Sequence, residues 1–151
     1  MEVTEVDTRD RRLRELIEIH KAFCVSQTPD GSGHAVTAET PGYADIRYWL
    51  AIEEGSAIGC AGLKPLTPTE AEIKTMHVRE THRSRGAAQA LLARLVEEAR
   101  RSGLATLTLE TGRSAGFAPS RRFYERAGFS PCPPFGPYAS DPFSFCMSRA
   151  L

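Results

Sequence analysis

The residues best suited to chemistry lie in "MHVRETHRSRGAAQ", residues 76–89. Arg79, Arg83 and Arg85 gather at one turn, and Gly86, Ala87 and Ala88 follow with almost no side chain. The apolar spacing beyond them predicts a helix from Gly86 to Ser102, ended by Gly103. The first N–H groups of a helix lack intrahelical partners and sit at the positive end of its macrodipole. Small residues let a ligand reach those groups, and guanidinium forks add bidentate donors for phosphate oxygens. The chemistry this predicts is capture of a polyanion, most simply a pyrophosphate. The competing reading is a solvated basic turn before an Ala-rich helix. The P-loop pattern GxxxxGK[ST] and the dinucleotide pattern GxGxxG are both absent.

Other reactive side chains are scattered. Glu110 ends an apolar run, "LTLETG", where a carboxylate can reach a crevice at strand ends; capping the turn at Thr111 is its plainer role. His20 and Cys24 stand four residues apart on a predicted helix, but no second ligand pair accompanies them, so no metal site is expected. Cys60 in "IGCAG" has no neighbouring histidine to activate it and reads as a small buried hydrophobe. The cysteines at 24, 60, 132 and 146 form no CxxC, which suggests free thiols in a reducing, cytoplasmic setting.

The elements that must position these groups follow from periodicity and turn chemistry. "MEVTEV" alternates as a strand, and Asp10 can cap a helix that turns Leu13, Leu16 and Ile17 inward. A long Gly/Pro/Thr-rich loop over about 25–45 reads as a binding segment or a mobile excursion. Two apolar runs flanking "EEGS" form a hairpin, and "TPTEAEIKTMHV" adds a third strand over 72–78. Strand 72–78, helix and strand 105–111 make a βαβ unit, so those strands should be parallel neighbours. A short helix from Pro119 to Gly128 and a closing strand "FSFCMSRA" complete an α/β chain that reads as a single domain over 1–151.

The totals exclude some functions. Lys plus Arg is 19 and Asp plus Glu is 19, so the chain lacks the overall basic balance of a general nucleic-acid binder. No apolar run is long enough to cross a bilayer, and the acidic start does not look like a secretory signal.

Several segments in order resemble one family. "RSRGAA", residues 83–88, matches the (Q/R)xxGx(G/A) motif of the Gcn5-related N-acetyltransferases (GNAT). "AEIKTMHV" resembles the strand before that motif, "LLARLVEEARRSG" its helix, "LTLETG" the next strand and "SRRFYERAGF" the tyrosine-bearing helix. The similarity covers residues 46–151 well. It implies the acyl-CoA N-acyltransferase fold: a mostly antiparallel sheet with one splayed parallel pair at the cofactor site, flanked by helices. It also implies acetyl-CoA as co-substrate, without a metal.

By that resemblance, Arg83, Ser84, Arg85, Gly86, Ala87 and Ala88 would hold the pyrophosphate. The Met76–His77–Val78 segment would pair with the pantetheine arm as a pseudo-strand. Acetyl transfer needs an amine without its proton, a donor for the oxyanion and a proton for the leaving thiolate. The resemblance makes Glu72 the first candidate base, with Glu110 second. Tyr124 would be the acid at the coenzyme sulfur. Ser120 stands where many members place an asparagine that bonds the coenzyme, and its shorter side chain puts that contact in question. Lys74 is two residues from Glu72 on the same strand face, so a simple ion pair is the competing role for both.

The expected activity is direct acetyl transfer to a primary amine of a small molecule. The alternatives are a protein or peptide amine, or a non-catalytic acyl-CoA-binding module. No nucleic-acid or membrane partner is expected. Members of this family are commonly dimers, and no segment here specifies an interface. Pocket groups drawn from loops and strand ends include Asp30, Glu39, Asp45, Arg47, Tyr48 and Tyr138.

Overall fold

A computed structural model describes residues 1–29 and 33–151; Asp30 lies outside the described residues. Strand β1 is Glu2–Val6 and helix α1 is Arg11–Gln27. Strands β2, Arg47–Glu53, β3, Ser56–Thr67, and β4, Glu70–Val78, follow as a meander. Helix α2 is Ala87–Arg101, β5 is Thr106–Gly112 and α3 is Ala118–Arg126. A two-residue strand β6, Ser130–Pro131, precedes the closing strand β7, Ser144–Ala150. Together the strands form one sheet in the order β1-β2-β3-β4-β5-β7-β6.

Every neighbouring pair is antiparallel except β4 and β5. The mixed sheet is the one expected, and it differs from the sequence reading in detail. α1 runs on to Gln27, into the segment read as loop. β6 and the turn of helix at Gly136–Ser140 were not anticipated; both lie in Pro-rich sequence without clear periodicity.

β2 explains why its sequence reads as an unbroken apolar run. Tyr48 and Leu50 point to one face, with Leu13, Leu16 and Ile17 of α1. Trp49 and Ala51 point to the other, with Leu91, Leu95 and Ala99 of α2. A sheet covered on both faces loses the apolar–polar alternation of a half-exposed strand.

The helix ends are set by local chemistry. The Asp10 side chain accepts from the Arg12 N–H at 2.9 Å and caps α1. α2 ends as a Schellman motif: the Leu104 N–H reaches the Ala99 carbonyl at 3.0 Å and the Gly103 N–H reaches Arg100 at 3.1 Å. No side chain caps its start. Gly86 takes φ +88° there, and the first intrahelical bond runs from the Ala90 N–H to the Gly86 carbonyl. The N–H groups of Ala87, Ala88 and Gln89 therefore have no partner within the helix.

Candidate active site

The parallel pair is short. β4 and β5 are in register from Glu70↔Thr106 to Ile73↔Leu109 and then diverge. Lys74 on β4 and Glu110 on β5 are the first residues past the last rung. A cavity of about 420 Å³ occupies the fork and runs between α1, the loop at 33–36, the start of α2 and the start of α3.

β4 contains a device that decides which groups face this cavity. Its register with β3 steps from Cys60↔His77 to Gly62↔Lys74, so β4 carries one extra residue. Thr75 sits there with φ +53°, left-handed and unusual for a β-branched residue. The extra residue shifts the phase of the strand. Before it, Ala71 and Ile73 enter the α2-side core, whereas after it Met76 and Val78 do so. Glu72, Lys74 and His77 consequently share the α1 side, which regular alternation would not allow. Thr108 and Glu110 of β5 alternate with the core residues Leu107 and Leu109 and face the same way.

Most of the expected coenzyme residues meet at this cavity. Met76, His77, Val78, Arg83, Ser84 and Ala88 line one end, and Ser120 and Tyr124 of α3 line its wall. Arg85, Gly86 and Ala87 do not line it but form the turn at its rim. Ser84 at φ +64° and Gly86 at φ +88° are both left-handed. Such alternation curls backbone N–H groups into an anion-binding nest. Arg85 is largely exposed, 4.0 Å from Glu53. Arg79 is engaged elsewhere: its Nε donates to the Ala57 carbonyl at 2.8 Å and its guanidinium pairs with Glu15 at 3.2 Å. Arg83 is held more loosely: its Nε donates to the Val78 carbonyl at 3.4 Å and its guanidinium lies 5.9 Å from the Phe23 ring centroid, which leaves donors of Arg83 and Arg85 for a ligand.

Glu72 and Lys74 form a pair, but a buried one. The Tyr138 hydroxyl donates to Glu72 Oε2 at 2.5 Å, and Lys74 Nζ donates to that same oxygen at 3.3 Å. Lys74 Nζ also donates to the Tyr138 hydroxyl at 2.8 Å, closing a triangle. Glu72 is only 3% exposed. Glu110 differs: burial raises its pKa, with Glu72 adding to the rise and Ser144, His34 and Lys74 opposing it. A carboxylate raised in this way, facing a cavity, suits a general base better. The sequence ranks Glu72 first and Glu110 second, and both line the cavity.

Tyr124 is packed edge-on against Phe123 and Phe129 at 5.1 and 5.5 Å between ring centroids. Burial raises its pKa, so it keeps its proton as a donor must. Cys60 fits the buried-hydrophobe reading: its thiol donates to the Thr75 carbonyl at 3.3 Å, and burial pushes it up to about 12.

Two sets of contacts were not legible in full from the sequence. His20 Nδ1 lies 3.2 Å from His77 Nδ1, and His20 Nε2 lies 3.4 Å from Cys24 Sγ. Burial lowers the pKa of His20 to about 3 and of His77 to about 4, and raises Cys24 to about 11. All three groups are neutral. The i, i+4 spacing signalled the Cys24 contact; nothing local signalled His77. Among the described residues, no group of three His, Cys, Asp or Glu side chains is arranged to hold a metal ion. The second set lies at the cavity wall. His34 Nε2 meets Asp141 Oδ2 at 2.8 Å, and the His34 ring stands edge-on to Tyr138 at 4.8 Å. Of the other loop and strand-end candidates, Glu39, Asp45, Arg47 and Tyr48 do not line the cavity.

Comparison with known proteins identifies this architecture. Residues 13–129 match the model of the acetyltransferase (GNAT) family. An uncharacterised N-acetyltransferase of Bacillus subtilis, YsnE, is 36% identical over 145 residues, 96% of each chain. An IAA acetyltransferase of Azospirillum brasilense is 35% identical over 140 residues, 91% of this chain and 89% of the relative. In fold, the chain is similar to an acyl-CoA N-acyltransferase structure from Klebsiella pneumoniae, with TM-score 0.81 and 26% identity over 99% of this chain and 97% of that one. A GNAT structure from Elizabethkingia anophelis with acetyl-CoA bound superposes with TM-score 0.64 at 20% identity, covering 78% of this chain and 96% of that one. The chain belongs to the GNAT family and is an N-acetyltransferase. No helix among the described residues is long and apolar enough to cross a membrane.

Proposed function

We propose that this enzyme transfers the acetyl group of acetyl-CoA directly to a primary amine of a small molecule. The observation that carries the reading is the fork between β4 and β5, whose cavity links the N–H-rich turn at 83–88 to the Glu72 and Glu110 carboxylates. The pyrophosphate would rest on the free N–H groups at the start of α2, with Arg83 and Arg85 beside it. The pantetheine arm would continue the sheet beside Met76 and Val78, beyond the point where β4 stops pairing with β5. The thioester then lies between Tyr124 and Glu110.

Glu110 takes the amine proton, directly or through a water, and the amine attacks the thioester carbonyl. Tyr124 gives a proton to the departing sulfur. The thiol leaves readily by itself, with a reference pKa near ~8.5, so this last role is the lesser one. Glu72 holds Lys74 and Tyr138 in place. A small acceptor fits better than a peptide because the paired His34 and Asp141 side chains form part of the cavity wall, with Tyr138 behind them. The acetyl-CoA-bound neighbour of the same fold and the acetyltransferase relatives support the donor.

The experiment is release of free thiol from acetyl-CoA across a panel of small amines and lysine peptides, beside calorimetric binding of coenzyme A. Turnover with small amines is expected. Turnover confined to peptides would overturn the acceptor assignment, and coenzyme binding without turnover would overturn catalysis.

A further inference from the structure

The fork displays a second chemical feature that acetyl transfer alone does not require. Lys74 Nζ has three N–H donors, and two of them go to Glu72 Oε2 and the Tyr138 hydroxyl. The ammonium is fixed, since it also lies 5.5 Å from the Tyr138 ring centroid. No third acceptor is present among the described residues, although Lys74 lines the cavity and its side chain is 11% exposed. Glu72 balances its charge without exhausting its donors.

Opposite stands Glu110. Both residues come immediately after the last rung, Ile73↔Leu109, and both project to the α1 side. A fixed cation and a carboxylate therefore line one cavity, on the two strands of the fork where the amine must sit. We propose that the acceptor is a free amino acid whose amine lies at Glu110 and whose carboxylate is seated on the spare donor of Lys74. Glu72 pairs with Lys74 and the ammonium with Glu110 before it gives up its proton, while the carboxylate takes the remaining N–H donor of Lys74. Lys74 here is a specificity-determining residue, and it takes no proton in the reaction.

This inference rests on the proposed acetyl transfer to a small amine, and the two can fail separately. The test uses matched sets of an α-amino acid, its amide and its decarboxylated amine, for alanine, methionine, phenylalanine and glutamate, with thiol release as readout. In the best set the amino acid should exceed both analogues in kcat/KM by roughly 10- to 100-fold, the range of one hydrogen bond to a charged group. Lys74→Met should raise KM for the amino acid by that factor relative to KM for the amide, and change kcat by less than KM. Lys74→Arg should keep most of the preference. Glu72→Gln/Lys74→Met, which buries no unpaired carboxylate, should behave as Lys74→Met does and guards against a folding artefact. Amines or amides preferred over amino acids in the wild-type enzyme would overturn the inference while leaving amine acetylation standing. A carboxylate preference that survives Lys74→Met would also overturn it. Absence of turnover with every compound would overturn both.

Discussion

Acidification should weaken this fold earlier than its carboxylates alone would dictate, because of the pair at His20 and His77. Their Nδ1 atoms face each other at 3.2 Å, and burial lowers their pKa values from 6.5 to about 3 and about 4. The unfolded chain therefore binds protons below pH 6.5 that the folded chain refuses. Stability from this source is complete above pH 6.5, falls as pH drops toward 4, and levels off beneath the folded values.

Between pH 7 and pH 5, each such histidine costs about 2 kcal/mol, from RT ln(1 + 10^1.5). Two give a ceiling of about 4 kcal/mol, which solvent at the cleft reduces for His77. That is a large part of a typical stability of about 5–15 kcal/mol. Lys74 faces His20, and Arg79 and Arg83 face His77, each adding to the lowering of the histidine beside it. Glu110 works in the opposite direction, since its folded pKa is raised. The assay is urea unfolding at pH 7 and pH 5. Wild-type protein should lose roughly 3–4 kcal/mol, and His20→Gln should lose about half of that. Equal losses in the two proteins would mean that the histidines are not held neutral, and the reasoning would be wrong.

Three further outcomes are expected. Gly86→Glu should reduce coenzyme A affinity at least 100-fold in calorimetry. No atom lies within 4 Å of the added Cβ, so stability should fall only by the about 1–2 kcal/mol of a side chain at φ +88°; unchanged affinity would refute the pyrophosphate seat. Glu110→Gln should lower kcat roughly 100- to 10,000-fold and remove the fall in rate at acid pH, whereas Glu72→Gln should act mainly through folding and acceptor KM. A larger kcat loss for Glu72→Gln would restore Glu72 as the base. Tyr138→Phe strips a donor from a buried carboxylate, costing about 1–3 kcal/mol and lowering Tm by roughly 3–10 °C in a thermal melt.

Sequence and structure agree where information is local. Periodicity marked the helix behind "RSRGAA", and the βαβ rule made β4 and β5 parallel. The strand residue Glu72 was recognisable, yet its surroundings were not. Tyr138 reaches it from 66 residues away, on a Pro-rich segment without periodicity, and turns an ordinary strand ion pair into a buried triangle. His34 and Asp141 are 107 residues apart and His20 and His77 are 57. Such pairings arise from how layers pack, which spacing along the chain does not encode. β7 inserting between β5 and β6 is a similar case: the order is set by which edge the final strand can reach after α3.

The extra residue at Thr75 makes the length of β4 as consequential as its composition. Deleting one residue there would remove no contact of note by itself. It would instead turn the downstream half of the strand over, sending the His77 imidazole into the α2 core and presenting Met76 and Val78 to the cleft. Hydrophobic totals and strand pairing would survive such an event almost intact, while the polar wall of the fork would be gone. An odd-numbered insertion or deletion between Lys74 and His77 is therefore barred to any descendant of this chain that keeps the reaction, whatever side chains it exchanges elsewhere along β4.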